Sequence, residues 1–311
     1  MMSREESQAA LREALVNAGH MIPLRTPGLY AFTQTYEDVL AGVERLVRSD
    51  AGGSGRAAPE LAIPPLLPES DFIRTGYVRS FPQLIGSIDV FTGSPRDHRA
   101  LLVDLEGDEP ERDWTEHLAP ARMDLVSAPC HGSYALLAGQ TLSHARFFGI
   151  STRCWRHEPS ADPMRLVSFR MRERVCVGTP SDALDHRESA MAAGSAMLAM
   201  LELPVSVDVA NDPFFGRTAQ LFSEGQRDAQ LKFEFVCDVY PGYPGTAIGS
   251  VNYHQDHFGT DFVITGPDGQ RAHSSCVGFG LERVTNALFA VHGMDPSTWP
   301  SGVQAALRGA G

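Results

Sequence analysis

The chain has 311 residues, 43% of them hydrophobic and 21% charged, a composition that allows a sizeable core and argues against disorder. Its formal net charge of -12 disfavours non-specific binding to nucleic acid, which depends on lysine and arginine against phosphates. The polar N-terminus lacks the apolar stretch of a secretion signal, and no apolar run is long enough to predict a membrane span.

The cysteines are five in number, widely spaced, and include no CxxC pair. A disulfide framework needs paired cysteines, so the pattern favours free thiols in a reducing compartment. We therefore expect a cytoplasmic protein.

The first 70 residues predict two helices and a broken strand. Alanine and leucine at helical spacing predict a helix over 3–18, and apolar residues three or four apart predict another from Tyr36 to Val47. The glycine-rich segment 50–55 predicts a flexible loop. Residues 61–67 are apolar but interrupted by two prolines, which suits an edge strand or an interface segment.

The remainder mixes strands and helices without a regular βαβ alternation, so we expect an α+β fold with an antiparallel sheet and helices on one side. A polar turn, Pro159–Arg165, separates the first two strands. The predicted strands are Arg146–Trp155, Val167–Val177, Val205–Val209, Leu231–Val239 and Phe262–Thr265, with a helix over 182–201 and a strand entering a helix over Cys276–His292.

Arginine and glutamate cluster at three places: WRHE at 155–158, FRMRE at 169–173 and GFGLER at 278–283. Guanidinium groups grip phosphate oxygens with two parallel hydrogen bonds, so fixed arginines suit phosphate chemistry. Exposed Arg–Glu pairs are also common on antiparallel strands, and a single cluster would indicate nothing more.

In this order the clusters resemble motifs 2 and 3 of class II aminoacyl-tRNA synthetases, especially the seryl-tRNA synthetases. The resemblance implies that Arg156 holds the α-phosphate of ATP and the substrate carboxylate. It also implies that Glu158 accepts from the adenine amino group and that Phe169 stacks on the adenine. Arg283 would cover the other face and reach the γ-phosphate. Arg156 and Arg283 are therefore the expected catalytic residues.

Cys130, Glu173 and Cys276 occupy the places at which the archaeal-type, zinc-dependent seryl-tRNA synthetases carry a Cys/Glu/Cys metal site. Their spacings of 43 and 103 residues contain no local zinc motif. The resemblance implies one zinc ion per subunit, with an open position for the α-amino group of the substrate. Without it, both cysteines would be read as buried apolar side chains, as we read the other three.

Longer strings are similar to those of the amino acid:[carrier protein] ligases, from about residue 25 to 308. They are HEPS at 157–160, SFRMRE at 168–173, NDPFFGR at 211–217, NYHQDHFG at 252–259 and CVGFGLER at 276–283. This resemblance implies a class II synthetase-like catalytic fold, with a six-stranded antiparallel sheet flanked by helices. It implies a homodimer formed through the helix near 36–48 and the segment near 61–67.

We expect one catalytic domain over 1–311, with an N-terminal helix in 1–25, a core over 26–311 and no tRNA-binding domain. The implied reaction activates glycine or alanine with ATP to an aminoacyl-adenylate. The phosphopantetheine thiol of a carrier protein then attacks the activated carbonyl. Two alternatives remain: a truncated enzyme that charges tRNA, and a non-catalytic regulatory paralogue.

Several assignments stay open at this stage. Glu234 is the candidate ligand for the Mg²⁺ that accompanies ATP, or else an exposed strand glutamate. His254 and Asp256 either line the amino-acid pocket or pair with each other, and Asp212 and Arg217 could shape its floor. The expected amino-acid pocket comprises Cys130, Arg156, Glu173, Asn252 and His254.

Overall fold

The computed structural model of the protein describes residues 2–49, 58–106, 113–210 and 230–309. The loop predicted over 50–55 and the string at 211–217, with Asp212 and Arg217, lie outside these residues. The described helices are α1 Arg4–Asn17, α2 Gln34–Arg48, α3 Glu69–Arg74, α4 Tyr77–Ser80, α5 Pro95–Glu106, α6 Cys130–Leu137, α7 Pro180–Met200, α8 His257–Asp261, α9 Leu281–His292 and α10 Ser301–Arg308. Among them, none combines the length and the apolar character needed to cross a bilayer.

The described strands form one large sheet and two small ones. They are β1 Met21–Pro23, β2 Tyr30–Phe32, β3 Glu60–Ala62, β4 Leu66–Pro68, β5 Ser87–Val90, β6 Ala119–Leu125, β7 Arg146–Trp155, β8 Ser168–Gly178, β9 Val205–Val209, β10 Lys232–Cys237, β11 Thr246–Gln255 and β12 His273–Gly280. The large sheet has the order β3-β7-β8-β12-β11-β10-β9.

The antiparallel sheet expected from the sequence is confirmed, with one strand more than the six predicted. Six strands pair antiparallel, and the short β3 is added at the edge, parallel to β7. The additional strand comes from the apolar stretch at 61–67, which Pro64 and Pro65 interrupt because proline cannot donate to a strand ladder. The two prolines divide this stretch between β3 of the large sheet and β4 of a three-stranded sheet.

Helices cover both faces of the large sheet, whereas the sequence pattern predicts helices on one side only. Helix α7 begins with a capping box between Thr179 and Asp182 and packs closely on one face. A β-carbon on Gly194 of this helix would lie 2.5 Å from the Phe235 ring, so glycine permits the close approach. Helices α6 and α8 pack on the opposite face through Tyr134 and Phe258.

One strand was predicted wrongly from the sequence and another was missed. The prediction of a strand at Phe262–Thr265 is wrong: Phe262 is the C-cap residue of α8, and Val263 has the left-handed φ of 57°. Phe262 and Ile264 are buried in the core with side chains of α6, whereas Val263 is exposed, and the segment does not join the large sheet. Strand β11 was not predicted, because polar side chains facing a cleft break its apolar pattern.

Candidate active site

The cleft lies on the face of the sheet opposite α7 and is open to solvent. Alternate residues of β8, β12, β11 and β10 point into it, as the period of a strand requires. The register places them in two neighbouring rows: Cys276, Asn252 and Lys232 in one, and Glu173, Gly278, Ser250 and Glu234 in the other.

Cys130, Glu173 and Cys276 meet at one end of this cleft. One ligand atom from each lies within 4.8 Å of the others, and all three residues are buried. Cys130 is the first residue of α6, and its backbone N–H donates to Oε2 of Glu173 at 2.8 Å. The fold therefore brings the predicted ligands together from one helix and two neighbouring strands.

The electrostatics of this cluster suit a divalent cation. Hydrogen bonding from the Cys130 thiol, with further contributions from His254 and Asn252, holds the pKa of Cys276 well below its usual value. Burial, together with the charge of Cys276, raises the pKa of Glu173 to about 8. Two thiols and a carboxyl in so small a buried space can all ionise only with a compensating cation, so these residues fit a zinc ion.

Asn252 and His254 contact the sulfur of Cys276. Asn252 Nδ2 donates to it over 3.6 Å, and His254 Nε2 lies 3.7 Å from it. On the other side of the imidazole, Nδ1 lies 3.1 Å from the Ser274 hydroxyl and 3.3 Å from that of Tyr134. These contacts orient His254 toward the cluster. Its pairing with Asp256, one of the two sequence-based alternatives, is not among them.

A small pocket adjoins the same cleft, and it is lined by Arg156, Glu158, Phe169 and Arg283. Nε and Nη2 of Arg156 donate to the carbonyl of Ser127 at 3.2 and 3.0 Å. The guanidinium carbon of Arg156 lies 5.4 Å from the ring centroid of Phe169. Four of the five residues predicted to bind ATP or its Mg²⁺ are thus gathered into one pocket, and the fifth, Glu234, lines the cleft beside it.

Arg283 is held by two backbone carbonyls. Its Nε donates to Met164 at 2.8 Å, and its Nη1 donates to Ala247 at 3.1 Å. Burial, with the nearby positive charge of Arg156, lowers the pKa of Arg283 to about 10. It therefore remains a cation at neutral pH, fixed in orientation beside a second cation. Such a pair suits a polyanion.

No protein-family model matches the chain. It is 38% identical over 279 residues to amino acid--[acyl-carrier-protein] ligase 1 of Bradyrhizobium diazoefficiens, which covers 89% of this chain and 84% of that protein. Ligase 2 of the same organism is 36% identical over 281 residues, which cover 90% of this chain and 82% of the relative. The chain belongs to the amino acid--[acyl-carrier-protein] ligase family.

The more distant matches are to aminoacyl-tRNA synthetases. The type-2 serine--tRNA ligase of Methanopyrus kandleri is 29% identical over 196 residues, 57% of this chain and 36% of that protein. The crystal structure of M. kandleri SerRS with A. aeolicus tRNASec matches with a TM-score of 0.82 at 22% identity, covering 94% of this chain and 59% of that one. A prolyl-tRNA synthetase from Giardia lamblia has a TM-score of 0.68 at 13% identity, over 94% of this chain and 54% of its own. The fold is that of a class II synthetase catalytic domain.

Glu234 was predicted to be either a Mg²⁺ ligand or an exposed strand glutamate, and it is not fully exposed. It lies in the cleft with its side chain 26% exposed, and Nζ of the more deeply buried Lys232 lies 2.9 Å from its carboxylate. An ion pair therefore lies in the cleft that adjoins the pocket predicted to bind ATP. The assignment of Mg²⁺ to Glu234 stays a prediction.

His131 was missed in the sequence, although it directly follows Cys130. It is 5% exposed, lines the cleft and packs against Tyr77 and Phe258. Burial lowers its pKa to about 3, so the imidazole is neutral at physiological pH. A histidine next to a candidate ligand was the available signal, but only the packing shows that it forms a wall of the pocket.

Proposed function

We propose that the protein activates a small amino acid, glycine or alanine, with ATP and transfers it to the phosphopantetheine thiol of a carrier protein. The observation that carries this proposal is the single cleft in which the arginine pocket adjoins the Cys130, Glu173 and Cys276 cluster. One end suits a nucleotide and the other an amino group. Membership of the ligase family supports the acceptor.

In the first step the amino-acid carboxylate attacks the α-phosphorus of ATP and releases pyrophosphate. Negative charge grows on the phosphate oxygens in such a transfer, and fixed cations stabilise it. The charge of Arg156 acts on both Glu173 and Arg283, and Arg156 would hold both the α-phosphate and the carboxylate. Glu158 and Phe169 would bind the adenine, with Arg283 on its other face and reaching the γ-phosphate.

Cys130, Glu173 and Cys276 would hold one zinc ion per subunit. When bound, zinc offers an open coordination position for the α-amino group of the substrate. Asn252 and His254 would orient the cluster and contact the amino acid. Mg²⁺ would accompany the ATP phosphates beside Glu234.

A small substrate agrees with the walls near this cluster. His131 is buried there, and the rings of Tyr134 and Phe258 stack with centroids 3.9 Å apart. These groups restrict the space for a side chain. The difference between glycine and alanine is one methyl group, worth about 1–3 kcal/mol of discrimination, so an assay must distinguish them.

The acceptor makes a modest chemical demand. A thiol already has a few per cent thiolate at neutral pH, so the enzyme mainly needs to place it against the adenylate carbonyl. We further propose that the chain forms a single catalytic domain. It would work as a homodimer through α2 and the segment around β3. All five cysteines are free, which supports a cytoplasmic location.

The test is amino-acid-dependent ATP–pyrophosphate exchange across the twenty amino acids, followed by transfer of the radiolabelled substrate. We expect exchange with glycine or alanine, and hydroxylamine-labile label on a holo-carrier protein only. Apo-carrier, which lacks the thiol arm, is the matched control. Label on total tRNA would support the tRNA-charging alternative. Absence of exchange with every amino acid would support a non-catalytic paralogue.

A further inference from the structure

The turn between β7 and β8 contains a buried carboxylate, Asp162, that is only 4% exposed. Its Oδ1 accepts from the Tyr240 hydroxyl at 2.5 Å and from the backbone N–H of Met164 at 2.9 Å. Its Oδ2 accepts from Nε2 of Gln8 at 2.9 Å. Three neutral donors from three parts of the chain therefore converge on one carboxylate.

The same turn is attached to α9 through its next two residues. The carbonyl of Pro163 accepts from Nδ2 of Asn286 at 2.7 Å, and the carbonyl of Met164 accepts from Nε of Arg283 at 2.8 Å. Arg283 and Asn286 stand three positions apart, on one side of the helix. Two hydrogen bonds thus join helix α9 to the turn beside the pocket proposed to bind ATP.

We propose that Asp162 is a positioning residue for the ATP pocket. By fixing the turn to α1 and to Tyr240, it fixes the Met164 carbonyl and, through that carbonyl, the guanidinium of Arg283. The N-terminal helix, through Gln8, is then part of the support of the nucleotide site. This inference rests on the proposed role of Arg283 in binding ATP.

The expected consequence of loosening the turn is a loss of ATP affinity. In the proposed function Arg283 contacts the nucleotide but not the amino acid, which binds at the other end of the cleft. A shift of about 1 Å in a positioned group can cost on the order of 10²-fold in rate. We expect the KM for ATP to rise about tenfold while the KM for the amino acid stays unchanged.

An exchange of the carboxylate and the amide gives a direct test. Gln8→Glu places a second carboxylate against Asp162 and should raise the Kd and KM for ATP about tenfold. Gln8→Glu combined with Asp162→Asn restores one carboxylate and one amide in reversed positions, and should return both constants to within about twofold of wild type. Gln140→Glu is the control for an added carboxylate, because Gln140 is exposed and its Nε2 donates to the backbone carbonyl of Leu136 at 2.8 Å.

The proposal is overturned if Gln8→Glu leaves ATP affinity within twofold of wild type, if the double variant fails to recover, or if the KM for the amino acid rises equally. Should Gln8→Glu not fold, Tyr240→Phe decides, since it deletes one donor and keeps the ring. We expect severalfold weaker ATP binding, and unchanged binding overturns the proposal. ATP binding is measured by calorimetry without any acceptor. If the wild-type protein binds ATP but exchanges no pyrophosphate, the proposed function is overturned but the positioning role of Asp162 is not.

Discussion

A β-carbon on Gly278 would lie 2.8 Å from Cγ of Glu173, its neighbour across the β8–β12 pair. Glycine therefore gives the Glu173 side chain the room to pass over β12 toward Cys130. We expect Gly278→Ala to displace this carboxylate and to lower the zinc content to less than half an ion per subunit. Elemental analysis of the purified protein measures it.

Gly280→Ala is the control for this prediction, because a β-carbon there would meet no atom nearer than 3.6 Å. Zinc content in the control should match wild type. If the Gly278→Ala protein contained as much zinc as wild type, the Glu173 carboxylate would not need the space left by the absence of a side chain at Gly278.

A second prediction addresses the sulfur ligands. Cys130→Ala or Cys276→Ala should reduce zinc from one ion per subunit to below about a tenth, because only two ligands would remain for a site that needs at least three. Cys237→Ala removes a thiol that is equally buried but lies on β10, away from the cluster. It should retain the full zinc content. Loss of zinc from all three variants would indicate a general failure of folding and contradict the assignment.

Two strands of the large sheet were predicted almost to the residue. Strand β7 occupies the predicted range Arg146–Trp155, and β8 differs from its predicted range by one residue at each end. Strand β11 was missed because its cleft-facing positions are polar, as Asn252 and His254 show. A pattern of apolar residues therefore does not reveal a strand whose cleft-facing side chains are polar.

The site could be predicted only as far as the resemblance reached. Cys130 and Glu173 are 43 residues apart, and no local spacing rule connects them. The resemblance named these candidate ligands, and the start of α6 brings Cys130 to Glu173 on β8. The contributions of Gly278 and Asp162 depend on three-dimensional neighbours, on a close approach in one case and on converging donors in the other, which a single sequence does not display.

A third prediction concerns pH. His186 is 7% exposed, and its Nδ1 lies 2.8 Å from the Ser275 hydroxyl. Burial, with the nearby charge of Arg174, lowers its pKa from 6.5 to about 4. Because the unfolded chain then binds the proton more tightly, this contribution to stability is complete above pH 6.5 and is lost as the pH falls toward 4. The loss approaches about 3 kcal/mol, since each pH unit between the two values contributes about 1.4 kcal/mol.

The measurement is urea unfolding between pH 7 and pH 4.5. His186→Gln should show a shallower decline in the free energy of unfolding than wild type over this range. His144→Gln, which removes a solvent-exposed imidazole, is the control and should follow the wild-type slope. A decline in His186→Gln as steep as in wild type would place the acid sensitivity elsewhere.

The last prediction separates the charge of the ATP pocket from its geometry. Arg156→Ala and Arg283→Ala should each slow pyrophosphate exchange by about 10²-fold or more, as removal of a transition-state contact does. Arg156→Lys keeps the cation but loses the fork that donates through Nε and Nη2 to Ser127. We therefore expect a loss close to that of alanine rather than a recovery. Arg122→Ala, which removes an exposed partner of Glu69 outside the cleft, should exchange at the wild-type rate. Near-normal exchange in either alanine variant would show that the phosphates are bound elsewhere, and full activity in Arg156→Lys would show that charge alone suffices.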